Sequence, residues 1–289
     1  IYAAFVDYKK AFDMVDRSLL WRKVMDIGVK GRVLKAVVSM YEFAKSCVTI
    51  DGRSSDSFIC NIGVRQGENL SPLLFAIFLS DFKEFLADNF DGLVSLDNDI
   101  QGMADNEEFV ALQRLFVLLY ADDTILLAED QQSLQRALNA LFEYCERWKL
   151  TVNTVKTQVV VFSRGTVRLR PVFWYGGTQL KVVDHYVYLG VAFYSNGCFR
   201  RSIHQQVLLA RGALNALLVK TSLLGLPVDL VLEIYEGTVL PVLLYGSEIW
   251  GFSDLKEVET FHTTSLKRFL AVGKATRDEF VFGETGSTD

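Results

Sequence analysis

Basic residues are scarce in this 289-residue sequence. Lys and Arg number 30 against 35 Asp and Glu, so the formal net charge is −5, and the pI is near 5.4. Nucleic-acid-binding proteins usually carry a basic surface, and this balance excludes a uniformly basic chain. Either a cation offsets a cluster of functional acids, or basic parts of the protein lie outside this stretch. We favour the second explanation.

Cysteine and histidine are also few and widely spaced. The cysteines at positions 47, 60, 145 and 198 include no C-x-x-C pair, and the histidines stand at 185, 204 and 262. This spacing matches no zinc site, and we interpret the cysteines as reduced thiols of an intracellular protein. No signal peptide, internal repeat or low-complexity linker is predicted. Charge interrupts each long apolar run before membrane length, so we expect no membrane association.

Hydrophobic residues, by contrast, make up 50% of the chain. The mean hydropathy of +0.21 is ample for a packed core and argues against disorder. Strand-length apolar runs and helical patterns share the first two thirds of the sequence, and helical periodicity dominates from about Phe199 onward. Asp16 is predicted to cap one helix, and Ser71, followed by Pro72, to cap another. The predicted fold class is α+β, with helices on one side of a sheet and an all-helical continuation.

Two adjacent acids, Asp122 and Asp123, stand between two apolar runs of strand length. The stretch contains no Gly or Pro, yet the chain must reverse there if both runs are buried. A β-hairpin that carries the two carboxylates to a sheet edge is therefore predicted. Adjacent like charges are costly unless a cation neutralises them. Asp oxygens without His or Cys nearby suit Mg²⁺ or Mn²⁺.

A third carboxylate, Asp7, ends another apolar strand near the start of the sequence. With Asp122 and Asp123 on adjacent strands, it would hold two ions about 3.5–4 Å apart. Such a pair promotes in-line displacement at phosphorus, because one ion acidifies the attacking hydroxyl and the other holds the leaving pyrophosphate. The alternative, exposed turn acids, does not account for the apolar strands on both sides of the Asp pair.

Five motifs follow one another in a fixed order between residues 5 and 190. They are FVDYKKAFD at 5–13, GVRQG at 63–67 with LSPLLF at 70–75, YADD at 120–123, NTVKT at 153–157 and YLG at 188–190. A lone Y-x-D-D box is a weak signal, but five ordered motifs form a strong one. The chain resembles the reverse transcriptases of non-LTR (LINE-like) retrotransposons.

The resemblance implies a right-hand polymerase. Residues 1–197 would form the palm, an antiparallel sheet with helices on one face, together with part of the fingers and a primer-grip-like hairpin. Residues 198–289 would form an all-helical thumb. The implied activity is that of an RNA-directed DNA polymerase, a nucleotidyltransferase that adds dNTPs to the 3′-hydroxyl of a DNA primer on an RNA template with two Mg²⁺ or Mn²⁺ ions.

The resemblance also implies roles for the acids and for one lysine. Asp7, Asp122 and Asp123 would be catalytic metal ligands, and the Tyr8 carbonyl would complete the octahedral shell. Lys156 would be the general acid for the departing pyrophosphate. The alternative for Lys156 is a solvated surface lysine.

Other matching positions concern the nucleotide and the primer. Phe12 would pack under the incoming sugar and leave no room for a 2′-hydroxyl, and ordinary core packing is its alternative. Gln66 would contact the nucleotide, Gly67 would allow close approach of the backbone, and Arg65 would place positive charge near template or phosphate. The positions that match primer or template contacts are Tyr120, Tyr188, Leu189 and Gly190.

Some features depart from the family pattern or stay open. Glu68-Asn69 stand where many relatives carry Cys-Pro, which adds one local negative charge. Asp13 either orients a neighbouring lysine or caps the following turn. In the helical part, basic residues would follow the minor groove of an RNA–DNA duplex through phosphate contacts. They are Arg200, Arg201, Arg211, Lys220, Lys267 and Arg268.

The sequence opens inside a strand with no initiator Met, so we expect a fragment that lacks the basic fingers strands; their loss would explain the acidic balance. One rival interpretation is an inactive or co-opted fragment that keeps the fold and binds nucleic acid without catalysis. Another is an RNA-dependent RNA polymerase, against which Phe12 and the Y-x-D-D box argue. An intracellular location, in nucleus and cytoplasm, is expected.

Overall fold

The computed structural model of the chain describes residues 1–65, 67–89, 117–120, 123–163, 165 and 171–286, with only the backbone for 87–89 and 117–120. The chain divides into two compact units, residues 1–184 and 185–289. Each unit has its own cluster of buried apolar side chains. The sequence predicted a boundary after residue 197. The hairpin between the two positions belongs to the second unit, because Val191 is buried in that unit's core.

The first unit combines a sheet, two small strand pairs and a layer of helices. Its described strands are β1 Tyr2–Val6, β2 Lys45–Ser46, β3 Thr49–Ile50, β4 Arg53–Ser54, β5 Phe58–Ile59, β6 Val117–Tyr120, β7 Asp123–Ala128, β8 Gln158–Val161, β9 Phe173–Tyr175 and β10 Thr178–Val183. Its described helices are α1 Arg17–Asp26, α2 Gly31–Glu42, α3 Ser71–Phe78, α4 Phe82–Asn89 and α5 Gln131–Trp148.

The main sheet has six strands in the order β6-β7-β1-β8-β10-β9. Strand β1 lies at its centre and pairs antiparallel with both β7 and β8. The prediction of an antiparallel sheet was wrong in one place. The sheet is mixed, since β10 runs parallel to β8. The cause is the β9–β10 hairpin around Gly176-Gly177: its second strand, not its first, adds to β8.

Helix α5 packs on the main sheet through one apolar face. Leu134, Leu138, Leu141 and Tyr144 recur at helical spacing and are fully buried, as an amphipathic helix on a sheet requires. Its N-cap, Asp130, accepts a hydrogen bond from the Ser133 backbone N–H at 2.8 Å. The helix contacts β1, β7 and β9 and so covers the sheet beneath the acidic strand ends.

The two predicted helix caps fare differently. Asp16 caps α1 as predicted, accepting from the Ser18 and Leu19 backbone N–H groups at 2.9 and 3.3 Å, and its hydrogen bond to Lys149 lowers its pKa to about 2. The Ser71 cap was wrong: Ser71 is already helical and Leu70 occupies the cap position. The Ser71 hydroxyl is buried 3.3 Å from the Tyr41 hydroxyl, so packing decides its place.

Lys23 ties the helix layer of the first unit together. Its side chain is buried, and its ammonium group donates to the Phe78 carbonyl, the Asp81 carboxylate and the Tyr144 hydroxyl. It also lies 3.6 Å from the centroid of the Trp148 ring. Burial lowers the pKa of Lys23 to about 8 against the opposing effect of Asp81. The contact joins α1, the α3–α4 connection and α5.

The second unit begins with a hairpin and continues as helices. Its strands are β11 His185–Tyr188 and β12 Val191–Tyr194, and its described helices are α6 Arg200–Leu224, α7 Val228–Thr238, α8 Leu240–Leu243, α9 Ser247–Trp250, α10 Lys256–Phe269 and α11 Asp278–Thr285. The apolar pattern alone predicted one strand over 186–193, whereas the family resemblance implied a hairpin at this place. The chain forms the hairpin, because Leu189 and Gly190 both adopt positive φ, 46° and 79°, the conformation of a tight hairpin turn.

Helix α6 is long and apolar enough to cross a membrane by length and composition alone. The sequence predicted that charge interrupts each long apolar run before membrane length. In this helix Arg211, near the middle, is such a charge. One face of α6, including Val207 and Leu214, is buried in the core of the second unit. Core packing therefore accounts for that face.

Candidate functional site

The acidic ends of β1 and β7 lie together where these inner strands of the main sheet end. We call this end of the strands the sheet edge. In the β1–β7 pairing, Val6 lies opposite Thr124, so Asp7 and Asp123 occupy the next positions on neighbouring strands. Cross-strand neighbours point their side chains to the same face. Tyr120 pairs with Asp123 across the β6–β7 hairpin, as predicted. The sequence thus brings together two acids that stand 116 positions apart in the numbering (123 − 7).

The third predicted acid, Asp122, lies outside the described residues, as does Ala121. Among the residues that are described, no group of three His, Cys, Asp or Glu side chains could hold a metal ion. Ligation by Asp7, Asp122 and Asp123 therefore stays a prediction. For Tyr120 the backbone alone is described, so a role for its side chain is likewise a prediction.

The peptide of Asp7 is held on both sides by the segment 153–157. The Asp7 N–H donates to the Thr157 hydroxyl at 3.1 Å, and the Asn153 N–H donates to the Asp7 carbonyl at 2.7 Å. Next to it, the Lys9 N–H donates to the Thr151 carbonyl at 2.7 Å. Two remote parts of the chain thus form a short antiparallel ladder that fixes the end of β1.

Lys156 supplies a positive charge to this edge. Its ammonium group lies 3.8 Å from Asp7 Oδ1, and the two side chains are 70% and 28% exposed. A lysine this exposed is mobile enough to leave the carboxylate, and the ion pair contributes little to stability. The predicted general acid is therefore beside the predicted acid cluster, although its chemical role is untested.

The donor set at this edge fits a hard divalent cation. Asp7 and Asp123 contribute carboxylate oxygens, the ligand type that Mg²⁺ and Mn²⁺ prefer. Tyr8 bridges to Val152, and the flanking hydrogen bonds belong to Asp7 and Lys9. The Tyr8 carbonyl therefore points away from Val152. Its phenol is buried, which raises its pKa well above the ordinary value and keeps it neutral.

Phe12 packs against the core, as one of its two interpretations predicted. This packing is also compatible with the other interpretation, a ring under the incoming sugar. Its ring centroid lies 4.8 Å from that of Phe75 in α3, while the residue stays partly exposed. The Phe12 carbonyl accepts a hydrogen bond from the Val64 N–H at 2.7 Å. The first and second sequence motifs are thereby joined. The ring has both a fixed support and an open side.

The second motif has a charge arrangement that the sequence did not predict. Arg65 donates to Glu68 at 2.7 Å and to the Met40 carbonyl at 3.1 Å, and Glu68 raises the pKa of Arg65. Glu68, the residue that departs from the family pattern, therefore forms an ion pair with Arg65. Gly67 has φ +85° and open space where a Cβ would stand, so its backbone conformation favours glycine. Gln66 lies outside the described residues.

Asp13 is exposed, and its backbone lies against Gly63. A Cβ at Gly63 would stand 2.6 Å from the Asp13 carbonyl oxygen, so this glycine permits the close approach of the two motifs. The contact involves the backbone of Asp13, not its carboxylate. The two alternatives for that carboxylate, orienting a lysine or capping a turn, stay open.

A family model described as reverse transcriptase (RNA-dependent DNA polymerase) matches residues 1–193. The chain belongs to the reverse transcriptase family. The mixed sheet with its helices is accordingly a polymerase palm, as the motifs predicted. The match ends within β12, so most of the second unit lies beyond it.

Two relatives refine the assignment. The RNA-directed DNA polymerase from mobile element jockey of Drosophila funebris is 30% identical over 261 residues, which cover 87% of this chain and 26% of the relative. A Pol polyprotein from a type-1 retrotransposable element R2 of Popillia japonica is 25% identical over 285 residues, 96% of this chain and 43% of the relative. The predicted likeness to non-LTR reverse transcriptases is confirmed. The chain spans less than half the length of these two relatives.

Among solved structures, the chain is similar to a telomerase from Candida albicans, in complex with the TWJ fragment of telomeric RNA. The TM-score is 0.42 and the identity 14%, over 100% of this chain and 46% of the other. This likeness is too low to add to the assignment.

The YLG motif forms the β11–β12 turn. The Leu189 carbonyl accepts a hydrogen bond from the Tyr245 hydroxyl at 2.7 Å. A Cβ on Gly190 would stand 2.9 Å from the Tyr245 ring. Tyr245 therefore supports this turn.

The basic residues of the second unit fall into two groups. Arg200, Arg211 and Arg268 line a cavity of about 630 Å³ between α6 and α10, and none of these three forms an ion pair with another described residue. Arg201, by contrast, stacks on Tyr194. Lys267 pairs with Asp278 at 2.6 Å. Asp254, Lys256 and Glu257 line the same cavity, and phosphate contacts by the basic residues stay a prediction.

Sequence reasoning missed Thr157, Asn153 and Tyr245 as supporting residues. Asn153 and Thr157 stand inside the NTVKT motif, so their positions were available. Their partners were not, because pairing Asp7 with Thr157 requires the β1–β8 register. Motif order gives no register.

Proposed function

We propose that this chain is the polymerase portion of a non-LTR retrotransposon protein that copies RNA into DNA. The single observation that carries the proposal is the meeting of Asp7 and Asp123 at one edge of a palm sheet, within a region that matches the reverse transcriptase family. Family membership supplies the reaction type, and the sheet register supplies a place for it. The relatives named above support the retrotransposon context.

The acids would hold two divalent ions. Asp7, Asp122 and Asp123 are the proposed ligands, with the Tyr8 carbonyl as a further oxygen donor. When bound, the ions would lower the pKa of the primer 3′-hydroxyl and stabilise the charge that develops on the pyrophosphate. Lys156, 3.8 Å from Asp7, would give its ammonium proton to the departing pyrophosphate oxygen.

Selection for deoxynucleotides would depend on Phe12. Its ring is supported from below by Phe75, so it cannot retreat without disturbing α3, and a 2′-hydroxyl would meet a fixed surface. Gln66 and Gly67 would contact the nucleotide from the second motif. The Arg65 charge is already neutralised by Glu68, so its share in phosphate binding would be small.

Primer and template would be held largely by the second unit. The Tyr188-Leu189-Gly190 turn would contact the primer end, and the unpaired arginines of the α6–α10 cavity would contact phosphates of the RNA–DNA duplex. In this assignment the helices from α6 onward are the thumb.

Primer extension on poly(rA)·oligo(dT) with Mn²⁺ or Mg²⁺ tests the proposal. The chain should extend the primer with dTTP and reject UTP, and the double variant Asp122→Asn, Asp123→Asn should be inactive while still folded. Extension by the double variant, or equal use of UTP, would overturn the proposal. A folded chain that binds the duplex but does not extend it would favour the co-opted, non-catalytic alternative.

Phe12→Ala separates the role of the ring from that of the acids. This variant should gain the ability to incorporate UTP while it keeps dTTP incorporation, because the fixed surface under the sugar is removed. Phe75→Leu is the matched control, since it loosens the support without removing the gate. If Phe12→Ala stays active and still rejects UTP, selection lies elsewhere.

A further inference from the structure

Asp7 lies one residue beyond the regular ladders of β1. The β1–β7 pairing ends at Val6 with Thr124, and the β1–β8 pairing ends at Phe5 with Gln158. Continued by two residues, the second register would bring Asp7 opposite Lys156. Residues 154–156 form a turn instead of a strand, so the backbone of Asp7 needs other partners.

The turn and its ends provide those partners. The Thr157 hydroxyl accepts from the Asp7 N–H at 3.1 Å, and the Asn153 N–H donates to the Asp7 carbonyl at 2.7 Å. The Asn153 carbonyl closes the turn by accepting from the Lys156 and Thr157 N–H groups at 3.1 and 2.8 Å. One short segment thus holds the Asp7 peptide from both directions.

Thr157 is an unusual choice for a purely structural position. It is 0% exposed and stands directly before β8, whose next buried residues are Val159, Val160 and Val161. Valine would fill the same volume and suits a strand equally well. What threonine adds is the hydroxyl, which accepts the hydrogen bond from the Asp7 N–H.

We infer that Thr157 is a positioning residue of the active site. Its hydroxyl holds the Asp7 peptide so that the carboxylate stays at the sheet edge, beside Asp123 and within reach of Lys156. The kinetic part of this inference rests on the proposed polymerase function. The cation-binding part needs only the acids at the sheet edge.

Three variants isolate the hydroxyl. Thr157→Val keeps the shape and removes the acceptor, whereas Thr157→Ser keeps the acceptor. Thr151→Val makes the same chemical change at an exposed threonine whose backbone carbonyl, not its side chain, bonds Lys9. Each is compared with the parent chain for Mn²⁺ affinity by titration, for exchange of the Asp7 amide proton, and for kcat and KM of dTTP in primer extension.

The expected pattern separates positioning from general damage. Thr157→Val should bind Mn²⁺ about tenfold more weakly and lose about 10- to 100-fold in kcat, the scale expected when a reacting group is displaced by a fraction of an ångström to 1 Å. Its KM for dTTP should stay within about twofold, since the nucleotide contacts are untouched. The Asp7 amide should exchange faster, Thr157→Ser should restore all three, and Thr151→Val should match the parent.

Several results would overturn the inference. Parental Mn²⁺ affinity and kcat in Thr157→Val would do so, as would reduced values of both in Thr157→Ser. If Thr157→Val does not fold, Thr157→Cys replaces it, because a thiol is a weak acceptor, and its Mn²⁺ affinity must then fall below that of Thr157→Ser. If the parent extends no primer, the same ranking of Mn²⁺ affinities upholds the inference while the proposed function fails.

Discussion

The acidic sheet edge and the β11–β12 turn are fixed in opposite ways. At the sheet edge, hydrogen bonds to the Asp7 peptide do most of the work: they join it to the Asn153 N–H and the Thr157 hydroxyl, 146 and 150 positions away (153 − 7 and 157 − 7). At the turn, close packing does: Gly190 and Gly246 leave space that Tyr245 and Val191 occupy. The difference teaches that a side-chain change at the sheet edge should act mainly on the position of Asp7, whereas added bulk at the turn should act mainly on stability.

The turn shows how strict such packing is. A Cβ on Gly246 would stand 2.6 Å from Val191 Cγ2, and the Trp250 ring N–H donates to the Tyr245 carbonyl at 3.0 Å. Leu189 adopts a positive φ of 46°, which costs a non-glycine residue on the order of 1 kcal/mol. The Tyr245 hydroxyl, which donates to the Leu189 carbonyl at 2.7 Å, helps to hold this conformation.

The largest expected effect comes from breaking the sheet edge chemically. Asp7→Asn should lower kcat by on the order of 10³-fold, because several kcal/mol of charge stabilisation depends on the metal ligands. The melting temperature should change little, since the Asp7 backbone bonds remain. Primer extension and thermal unfolding measure the two quantities. Glu143→Gln, an exposed acid on α5, is the matched control and should alter neither.

Breaking the turn sterically should give the opposite result, with a large loss of stability. Gly246→Ala places a methyl group against Val191 at a φ of +75°, which should cost about 2–4 kcal/mol from overpacking and backbone strain together. Urea unfolding followed by circular dichroism measures it. Gly225→Ala is the control: its φ is +59° but open space surrounds it, so it should lose only about 1 kcal/mol.

A second-site change sharpens that prediction. Combining Gly246→Ala with Val191→Ala removes the atoms in conflict. The double variant should therefore lose less stability than the sum of the two single variants, with a coupling of about 1 kcal/mol. Strict additivity would mean that the steric account of the turn is wrong.

Lys23 extends the comparison to a buried charge away from both elements. Its pKa is about 8 in the folded chain, below the ordinary 10.5. Between these values the unfolded chain binds a proton that the folded chain does not, so stability should rise with pH across this window. Relative to Lys23→Met, the parent should gain about 1–2 kcal/mol between pH 7.5 and 9.5. Urea unfolding at several pH values tests this; a constant difference would contradict it.

Sequence reasoning succeeded where the signal was local or ordered along the chain. The Asp16 cap and the β6–β7 hairpin were predicted, since both depend on near neighbours in sequence. It failed on the parallel β8–β10 pairing, because which strand of a hairpin joins a sheet depends on packing of the whole sheet. It failed on Ser71 for a related reason: a distant partner, Tyr41, holds that hydroxyl.

The candidate site divides along the same line. The identities of Asp7 and Asp123 could be read from motifs, but the supports Thr157 and Asn153 could not, since they act through hydrogen bonds that depend on register. The ion pair between Arg65 and Glu68 could more easily have been predicted from the sequence. The two are three residues apart, and the departure from the family pattern at Glu68 was the visible signal.

The smallest expected effect concerns the hydroxyl that supports the turn. Tyr245→Phe removes the hydrogen bond to the Leu189 carbonyl and keeps the ring that packs on Gly190. Because Tyr245 is half exposed, water can replace the lost donor, and stability should fall by only about 0.5–1 kcal/mol.

If the turn contacts the primer as proposed, the KM for primer should rise a few-fold while kcat holds. Tyr245→Ala, which removes the ring as well, should be clearly worse in both measurements. Equal behaviour of the two variants would show that the hydroxyl, not close packing, fixes this turn, and the contrast with the sheet edge would disappear.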